Sequence, residues 1–173
     1  MVRLMKKITS LIAFSLVLIA GIFSTVDINK AYAADDLYKY SWPFKTQQMT
    51  VKLDKNNTVT GYEVYRGFTN KVGITMNFKV SEKTGLTVTS ANYYKYGIMW
   101  PVAVKDKSKT ISKKSASVGK TATAHAIYTG QVIMTSGIPL LTEYPRADGK
   151  LTLVSIDKKK KTAVVKFTGT LKQ

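Results

Sequence analysis

Cysteine is absent from the 173-residue sequence, and histidine occurs once, at His125. The lack of cysteine excludes disulfides and thiolate ligands, and a structural zinc site needs several cysteine or histidine ligands. Calcium sites need clustered acidic or amide oxygens. The acidic residues here are few, and only Asp35 and Asp36 are adjacent. The sequence therefore predicts neither a metal nor a cofactor.

Helical periodicity is also nearly absent after residue 33, where apolar and polar residues alternate with a period of two. Alternation of this kind is typical of half-buried strands. The clearest example is the apolar set Val72, Ile74, Met76, Phe78 and Val80. We therefore expect residues 34–173 to form a single all-β domain, an antiparallel Greek-key-like sandwich of roughly eight or nine strands. A β-barrel is the alternative.

Turn sequences divide the alternating pattern into predicted strands. Met49, Val51 and Leu53 precede the turn at 54–57, and residues 58–66 run back, which predicts a hairpin. A second hairpin is expected around five charged residues at its tip, 157–161. Further strands are predicted at 86–96, 98–104, 120–134 and 139–144.

The only long apolar run lies near the start of the sequence. Residues 1–33 combine a basic start (Arg3, Lys6 and Lys7), an apolar stretch at 8–23 and an Ala-Tyr-Ala site at 31–33. This pattern is typical of a secretion signal. A retained membrane anchor is the alternative, but this 16-residue stretch falls short of the ~20 residues that span a bilayer. We expect a secreted protein, extracellular or associated with the cell wall.

Negative charge is scarce in residues 34–173, which contain 23 lysines and arginines but 9 acidic residues, a net charge of +14. Such a surface attracts anionic polymers in a salt-dependent way. Lysine provides 21 of the 23 cations, and lysine acts as a mobile point charge rather than a bidentate fork. The expected partner is therefore an anionic cell-wall polymer or a membrane surface, without specific recognition of nucleic acid.

The lysines are densest in residues 105–120, where 16 residues include six lysines and four serines. We predict an exposed loop or a frayed edge strand here. Lysine on an edge also discourages pairing with other chains, which is the alternative role. The candidate polyanion-binding residues are Lys105, Lys107, Lys109, Lys113, Lys114, Lys120, Lys158, Lys159, Lys160 and Lys161.

Aromatic residues two apart form two runs, and in an extended chain each run lines one face. Exposed rings could stack against sugar rings, whereas buried rings would belong to the core. Pro43 and Pro101 indicate that both runs lie near a sheet edge. The candidate aromatic platform is Tyr38, Tyr40, Trp42, Tyr94, Tyr96 and Trp100.

These features favour a non-enzymatic secreted β-domain that binds teichoic acid, anionic lipid headgroups or acidic polysaccharide, with no catalytic residue. One alternative is a toxin-like or antimicrobial factor. Another is a hydrolase of envelope polymers with His125 as proton carrier. His125 alternates with alanines, without an acid nearby in sequence, which favours a half-exposed strand histidine. A protease inhibitor would need residues 136–149 as a rigid exposed loop.

Overall fold

The structure is a computed structural model that describes residues 38–66, 70–97, 101–133 and 137–173. The signal predicted at 1–33 lies outside these ranges. Eleven strands and no helix occur within them. The strands are β1 (Ser41–Pro43), β2 (Gln47–Lys52), β3 (Asn56–Val64), β4 (Lys71–Ser81), β5 (Gly85–Tyr96), β6 (Val102–Lys113), β7 (Ser115–Ala116), β8 (Thr121–Ile133), β9 (Pro139–Glu143), β10 (Arg146–Asp157) and β11 (Thr162–Lys172).

The strands form two antiparallel sheets. Sheet A has the order β1-β11-β10-β8-β6, with β2 also pairing β11 and β9 also pairing β8. Sheet B has the order β3-β4-β5-β7. Strands β3, β4 and β5 lie over β11, β10 and β8 of sheet A. The predicted all-β sandwich is confirmed, and the barrel alternative is wrong for the described residues because the two sheets do not join into one.

The core lies between the sheets and follows the alternation of the sequence. All five apolar residues of the set at 72–80 are fully buried on β4. They face the fully buried Leu151, Leu153, Val165, Phe167 and Leu171 of β10 and β11. Burial of these side chains is the main favourable contribution to folding, about 1.5–3 kcal/mol for each.

One aromatic pair fills the middle of this core. Phe44 and Phe167 stack with their ring centroids 6.5 Å apart and an interplanar angle of 7°. They occupy the space over Gly61 of β3, where an added Cβ would lie 2.3 Å from Phe167 Cε1. Gly61 is therefore required by packing.

A polar cluster joins the end of β3 to β9 and to the last residue of the chain. Glu143 Oε2 accepts hydrogen bonds from the Tyr65 hydroxyl at 3.0 Å, from Arg66 Nε at 3.1 Å and from Gln173 Nε2 at 2.5 Å. Arg66 also bonds the other carboxylate oxygen. The Tyr65 side chain is buried, with an exposed fraction of 1%. Burial and the neighbouring Glu143 carboxylate raise the pKa of Tyr65 to about 12.

The hairpin predicted from residues 49–66 is wrong. Strand β2 pairs with β11, with Val51 opposite Ala163, whereas β3 pairs with β4 in the other sheet. The turn after β2 therefore carries the chain from one sheet to the other, and Asp54 there has a positive φ of 58°. Alternation fixes which side of a strand is buried, but it does not fix the neighbouring strand.

The other predicted strands are largely found. β4 pairs with β5, and β10 pairs with β11 around the charged tip at 157–161, which confirms the second hairpin. β8 and β9 match the strands predicted at 120–134 and 139–144. Of the strand predicted at 98–104, residues 98–100 lie outside the described ranges.

The segment at 105–120, predicted as an exposed loop or a frayed edge strand, is mostly strand. β6 is ordered by pairing with β8 along one side, from Val102 opposite Val132 to Lys113 opposite Thr123. For 105–113 the loop is therefore wrong and the edge strand is right, and the predicted exposure is present. The register shifts twice, between Asp106 and Ser108 and again before Lys113. Bulges and lysines are common on edge strands because they disfavour pairing with other chains.

Candidate functional site

Lysines from four separate turns meet at one end of the sandwich. These turns follow β2, β4, β6 and β10, and in an antiparallel sandwich of this order they share one end. We call this set the lysine end. Its members are Lys52, Lys55, Lys83, Lys113, Lys114, Lys120, Lys158, Lys159, Lys160 and Lys161.

Backbone hydrogen bonds between the turns hold the lysine end together. Gly119 N–H donates to Leu153 O at 2.8 Å, which ties the turn before β8 to β10. Leu53 N–H donates to Lys161 O at 2.9 Å, and Asp54 N–H donates to Val80 O at 2.8 Å. The cations are thus presented from a fixed backbone.

The acidic residues at this end are too few to neutralise it. Asp54, Glu82 and Asp157 are the acids in or beside the four turns. Lys160 Nζ lies 3.9 Å from Asp157 Oδ2, and both side chains are largely exposed. Exposed ion pairs of this kind contribute little to stability, because solvent screens their attraction. The lysine end therefore carries a strong excess of positive charge.

An open cavity of about 450 Å³ lies within the lysine end. It is lined by Leu53, Asp54, Ser81, Glu82, Lys83 and Lys161. Cationic and anionic side chains line this cavity together with the apolar Leu53. The cavity is open to solvent, so it is a recess of mixed character and not an enclosed pocket.

All ten lysines proposed from the sequence are exposed, and seven of them belong to the lysine end. The other three lie along β6. Lys109 Nζ donates to Asn92 Oδ1 at 3.0 Å, and Lys107 Nζ lies 3.7 Å from the centroid of the Tyr144 ring. Lys105 lies on the same strand. The basic surface therefore extends from the lysine end along the edge of sheet A.

A second feature lies on the face of sheet B that points away from sheet A. Tyr62 on β3, Gly73 on β4 and Tyr94 on β5 form one row across the sheet. The two tyrosine rings stack over the bare glycine with centroids 5.2 Å apart and an interplanar angle of 20°. An added Cβ on Gly73 would lie 1.9 Å from Gly61 O. The glycine therefore permits the close packing of this row.

A lysine lies beside the stacked rings. Lys71 occupies the adjacent row opposite Tyr96. Its Nζ atom is 4.9 Å from the centroid of Tyr62 and 5.8 Å from that of Tyr96. Tyr62 is 40% exposed and Tyr96 is 63% exposed. We call Tyr62, Lys71, Tyr94 and Tyr96 the tyrosine face.

Tyr128 of sheet A supports this face from below. Its hydroxyl accepts a hydrogen bond from Tyr94 N–H at 2.9 Å and donates one to Gly73 O. Burial raises the pKa of Tyr128, so the phenol stays neutral and can donate. The backbone of the tyrosine row is therefore fixed through the core of the sandwich.

The aromatic run at 38–44 is divided between surface and core. Tyr40 and Trp42 are exposed and stack with centroids 5.8 Å apart, whereas Phe44 is buried. Tyr38 is half-buried. β1 lies at the edge of sheet A, as its proline indicated. This run and the tyrosine face lie on different sheets, so the six aromatic candidates do not form one platform, and Trp100 lies outside the described residues.

His125 lies on the outer face of sheet A, where β8 places it between Thr110 of β6 and Asp148 of β10. Its Nδ1 is 3.1 Å from Ser112 Oγ. Burial and the positive charge of Arg146 lower the pKa of His125. The imidazole is therefore neutral near pH 7.

The acid that lies opposite His125 in the strand register is Asp148, and it is engaged by cations. Asp148 accepts a hydrogen bond from Arg146 Nε at 2.8 Å and lies 3.4 Å from Lys172 Nζ, so its charge is already balanced. Neither the cavity at the lysine end nor a second one of about 370 Å³ between β5 and β6 includes His125. His125 is thus a half-buried histidine within a strand.

Several site residues were not identified from the sequence. Tyr62 and Lys71 lie outside both aromatic runs, and only strand register brings them beside Tyr94 and Tyr96. Lys52, Lys55 and Lys83 are scattered in sequence. For Tyr62, alternation with Thr58 and Thr60 was the available signal, because those polar residues mark the outer face of β3.

The segment at 136–149, considered above as an inhibitory loop, is largely strand. It contains β9, which pairs with β8, and the start of β10. Ile138, Leu140 and Leu141 are exposed there. Paired strand of this kind is not the projecting loop that an inhibitor would need in the described part of the segment, and residue 136 lies outside that part.

The described residues thus define an all-β sandwich with a lysine-rich end and a separate face of exposed tyrosines. No protein-family model matches the sequence, and no curated protein is significantly similar to it. Among solved structures, a hypothetical protein from Listeria monocytogenes EGD-e is similar at 17% identity, with a TM-score of 0.31, over 72% of this chain and 78% of that chain. A likeness of this extent supports no conclusion about function. Within the described ranges, no helical segment is long and apolar enough to span a membrane.

Proposed function

We propose that the protein is a secreted, non-enzymatic β-sandwich that binds anionic polymers outside the cell through its lysine end. The proposal rests on one observation: four turns bring ten exposed lysines to the same end of the sandwich, where only three acids among the described residues accompany them. Affinity then comes from many weak contacts between ammonium groups and anionic groups. The secretion signal predicted at 1–33 supports an extracellular or wall-associated location.

The expected ligands are repeating anions such as wall teichoic acid, anionic lipid headgroups or acidic polysaccharide. Lysine contributes mobile single charges, which suit a flexible polymer better than a ligand with one fixed geometry. The backbone bonds between Gly119 and Leu153 and between Leu53 and Lys161 support the proposal. They hold the charges close together, which strengthens the local field.

Salt is expected to weaken this binding strongly. We expect the purified protein to bind intact cell wall, and affinity should fall about tenfold or more between 50 and 200 mM salt, because screening and counterion competition remove many small contacts. Pull-down on intact wall, on wall stripped of teichoic acid and on anionic liposomes measures both affinity and ligand class. Binding that ignores salt would contradict the proposal.

A matched pair of triple variants tests the position of the site. Lys114→Gln, Lys120→Gln and Lys159→Gln remove three charges from the lysine end. Lys45→Gln, Lys150→Gln and Lys166→Gln remove three exposed lysines outside it. The net charge changes equally, so long-range attraction changes equally. The first variant should lose about tenfold more affinity than the second, and equal losses would mean that the lysine end is not the site.

A second candidate, a toxin-like or antimicrobial factor, is favoured by one observation. Ile138, Leu140 and Leu141 are 62%, 63% and 44% exposed. They lie on or next to β9, which pairs with the end of β8 opposite the lysine end. Exposed apolar side chains on a basic protein suit contact with an anionic membrane. Because the patch is small and lies on a paired strand, we expect binding to anionic vesicles without release of an entrapped dye. Rapid dye release, abolished by Leu140→Ser, would instead favour the toxin-like function.

A further inference from the structure

We propose that the tyrosine face is a saccharide-binding subsite for an anionic glycan, which narrows the ligand of the polyanion-binding function proposed above and presupposes that function. The subsite comprises Tyr62, Lys71, Tyr94 and Tyr96 and continues along the outer face of sheet B. Its ligand is a polymer of sugar rings that carry carboxylate or phosphate groups.

Exposed aromatic surface is available on this face for stacking with a sugar ring. Tyr96 is 63% exposed and Tyr62 is 40% exposed, while Tyr62 and Tyr94 partly cover each other. Tyr62 and Tyr94 are nearly parallel, with an interplanar angle of 20°, and they cover Gly73 rather than a side chain. Tyr128 fixes the backbone of Tyr94 and of Gly73 beneath the pair, and the two rings contact each other. Aromatic side chains lose little conformational entropy on binding, and they combine apolar area with a polar hydroxyl group.

Neutral hydrogen-bonding groups continue from the rings along the same face. Thr60 Oγ1 and Thr75 Oγ1 are 2.9 Å apart. Thr58 Oγ1 donates to Asn77 Oδ1 at 2.6 Å, and Asn77 Nδ2 donates to Ser90 Oγ at 2.8 Å. These groups form two polar rows across β3, β4 and β5. A ligand with many hydroxyl groups would find donors and acceptors in each row.

The charge of this face selects an anionic sugar polymer. Of the described positions on β3, β4 and β5 that point away from sheet A, none is acidic. Glu63 points to the other side, and its Oε1 accepts a hydrogen bond from Val64 N–H. Lys71 lies near one end of the face and Lys79 near the other, roughly 25 Å apart along β4. Lys79 Nζ is 4.0 Å from Asp54 Oδ1 of the adjoining turn.

The continuity of the two surfaces supports a polymeric ligand. Lys79 marks the point where the outer face of sheet B reaches the turns of the lysine end. A glycan chain that stacks on the tyrosines can therefore extend past the hydroxyl rows and reach the lysine end. One ligand would use ring stacking at one end and charge at the other.

The test compares three polymers that differ either in the presence of sugar rings or in the presence of negative charge. Polygalacturonate has sugar rings and carboxylates, its methyl ester has the rings without the charge, and long-chain polyphosphate has the charge without the rings. We expect Tyr62→Thr and Tyr96→Thr each to lower affinity for polygalacturonate about fivefold to tenfold and to leave polyphosphate binding unchanged. Lys71→Met should lower affinity for polygalacturonate but not for the methyl ester. Affinity electrophoresis or calorimetry on the full chain provides the Kd values.

Two controls separate stacking from other effects. Tyr40→Thr removes a tyrosine that is 53% exposed and stacked on Trp42 elsewhere on the surface, and it should leave polygalacturonate binding unchanged. Tyr62→Phe keeps the ring and should keep most of the affinity. Equal losses in Tyr40→Thr and Tyr62→Thr, or a full loss in Tyr62→Phe, would overturn the stacking role.

The same experiment distinguishes failure of the subsite from failure of the broader function. If polygalacturonate and polyphosphate both bind in a salt-dependent way and the tyrosine variants change neither, the subsite is wrong and the polyanion-binding function stands. If neither anionic polymer binds, the polyanion-binding function fails, and the subsite fails with it.

Discussion

The Phe167→Ala variant is expected to lose about 3–5 kcal/mol of unfolding free energy, because it removes a large aromatic side chain from the centre of the core. Phe167 is fully buried and stacks on Phe44. Its ring fills the space over Gly61, and it also lies against Gly149. Neither glycine has a side chain that could move into the cavity, so the structure can relax little.

Denaturant unfolding followed by circular dichroism measures this loss, provided that the slope of free energy against denaturant concentration is unchanged. Phe167→Leu is the matched control, since it keeps most of the volume, and it should cost less than half as much. A loss below about 1 kcal/mol for Phe167→Ala would mean that Phe167 does not fill the centre of the core.

The buried side of most strands could be predicted from the sequence, because alternation records the side on which water is excluded. Residues 72–80 show this directly, since every second residue there is fully buried. Strand partners were predictable only where a short turn joins two strands of one sheet, as at 157–161. Where β2 passes to β3 across the sandwich, the same alternation gave a wrong hairpin.

The sequence left the edge strand β6 open between a loop and an edge strand, because its composition reflects exposure rather than conformation. Its lysines and serines face solvent, and its two register shifts interrupt the period of two that identifies a strand. Pairing with β8 orders the segment, and β8 is recognisable from the small buried alanines at 122, 124 and 126. No property of residues 105–113 alone contains that information.

The candidate site, too, could be predicted from the sequence only in part. Two of its lysine groups, at 113–120 and 158–161, are visible in the sequence as local clusters. Their approach to each other and to Lys52, Lys55 and Lys83 depends on the sheet order, which decides which turns share an end. The tyrosine face depends on register across three strands, and Lys71 joins it only because it lies opposite Tyr96. Charge is thus readable from composition, whereas its placement requires the topology.

High pH is expected to weaken the fold through Tyr65, because the folded state holds its phenol neutral. Burial, with the adjacent Glu143 carboxylate and its hydrogen bond, raises the pKa of Tyr65 to about 12, compared with about 10 in an unfolded chain. Below pH 10 the phenol is neutral in both states, and its contribution to stability is complete. Between pH 10 and 12 the unfolded chain loses this proton while the folded protein keeps it, so stability falls as pH rises.

The Tyr65→Phe variant isolates this effect from the titration of the lysines and of Tyr128, which both proteins share. At pH 8 the variant should be about 1 kcal/mol less stable than the parent protein, since the hydrogen bond to Glu143 is lost. From pH 9 to pH 12 the parent protein should lose about 2 kcal/mol of stability relative to the variant, a two-unit shift reduced for screening. The variant should then be the more stable of the two at pH 12. Urea unfolding at each pH gives both curves. Parallel curves across this range would show that Tyr65 titrates normally and that the cluster around Glu143 does not protect its proton.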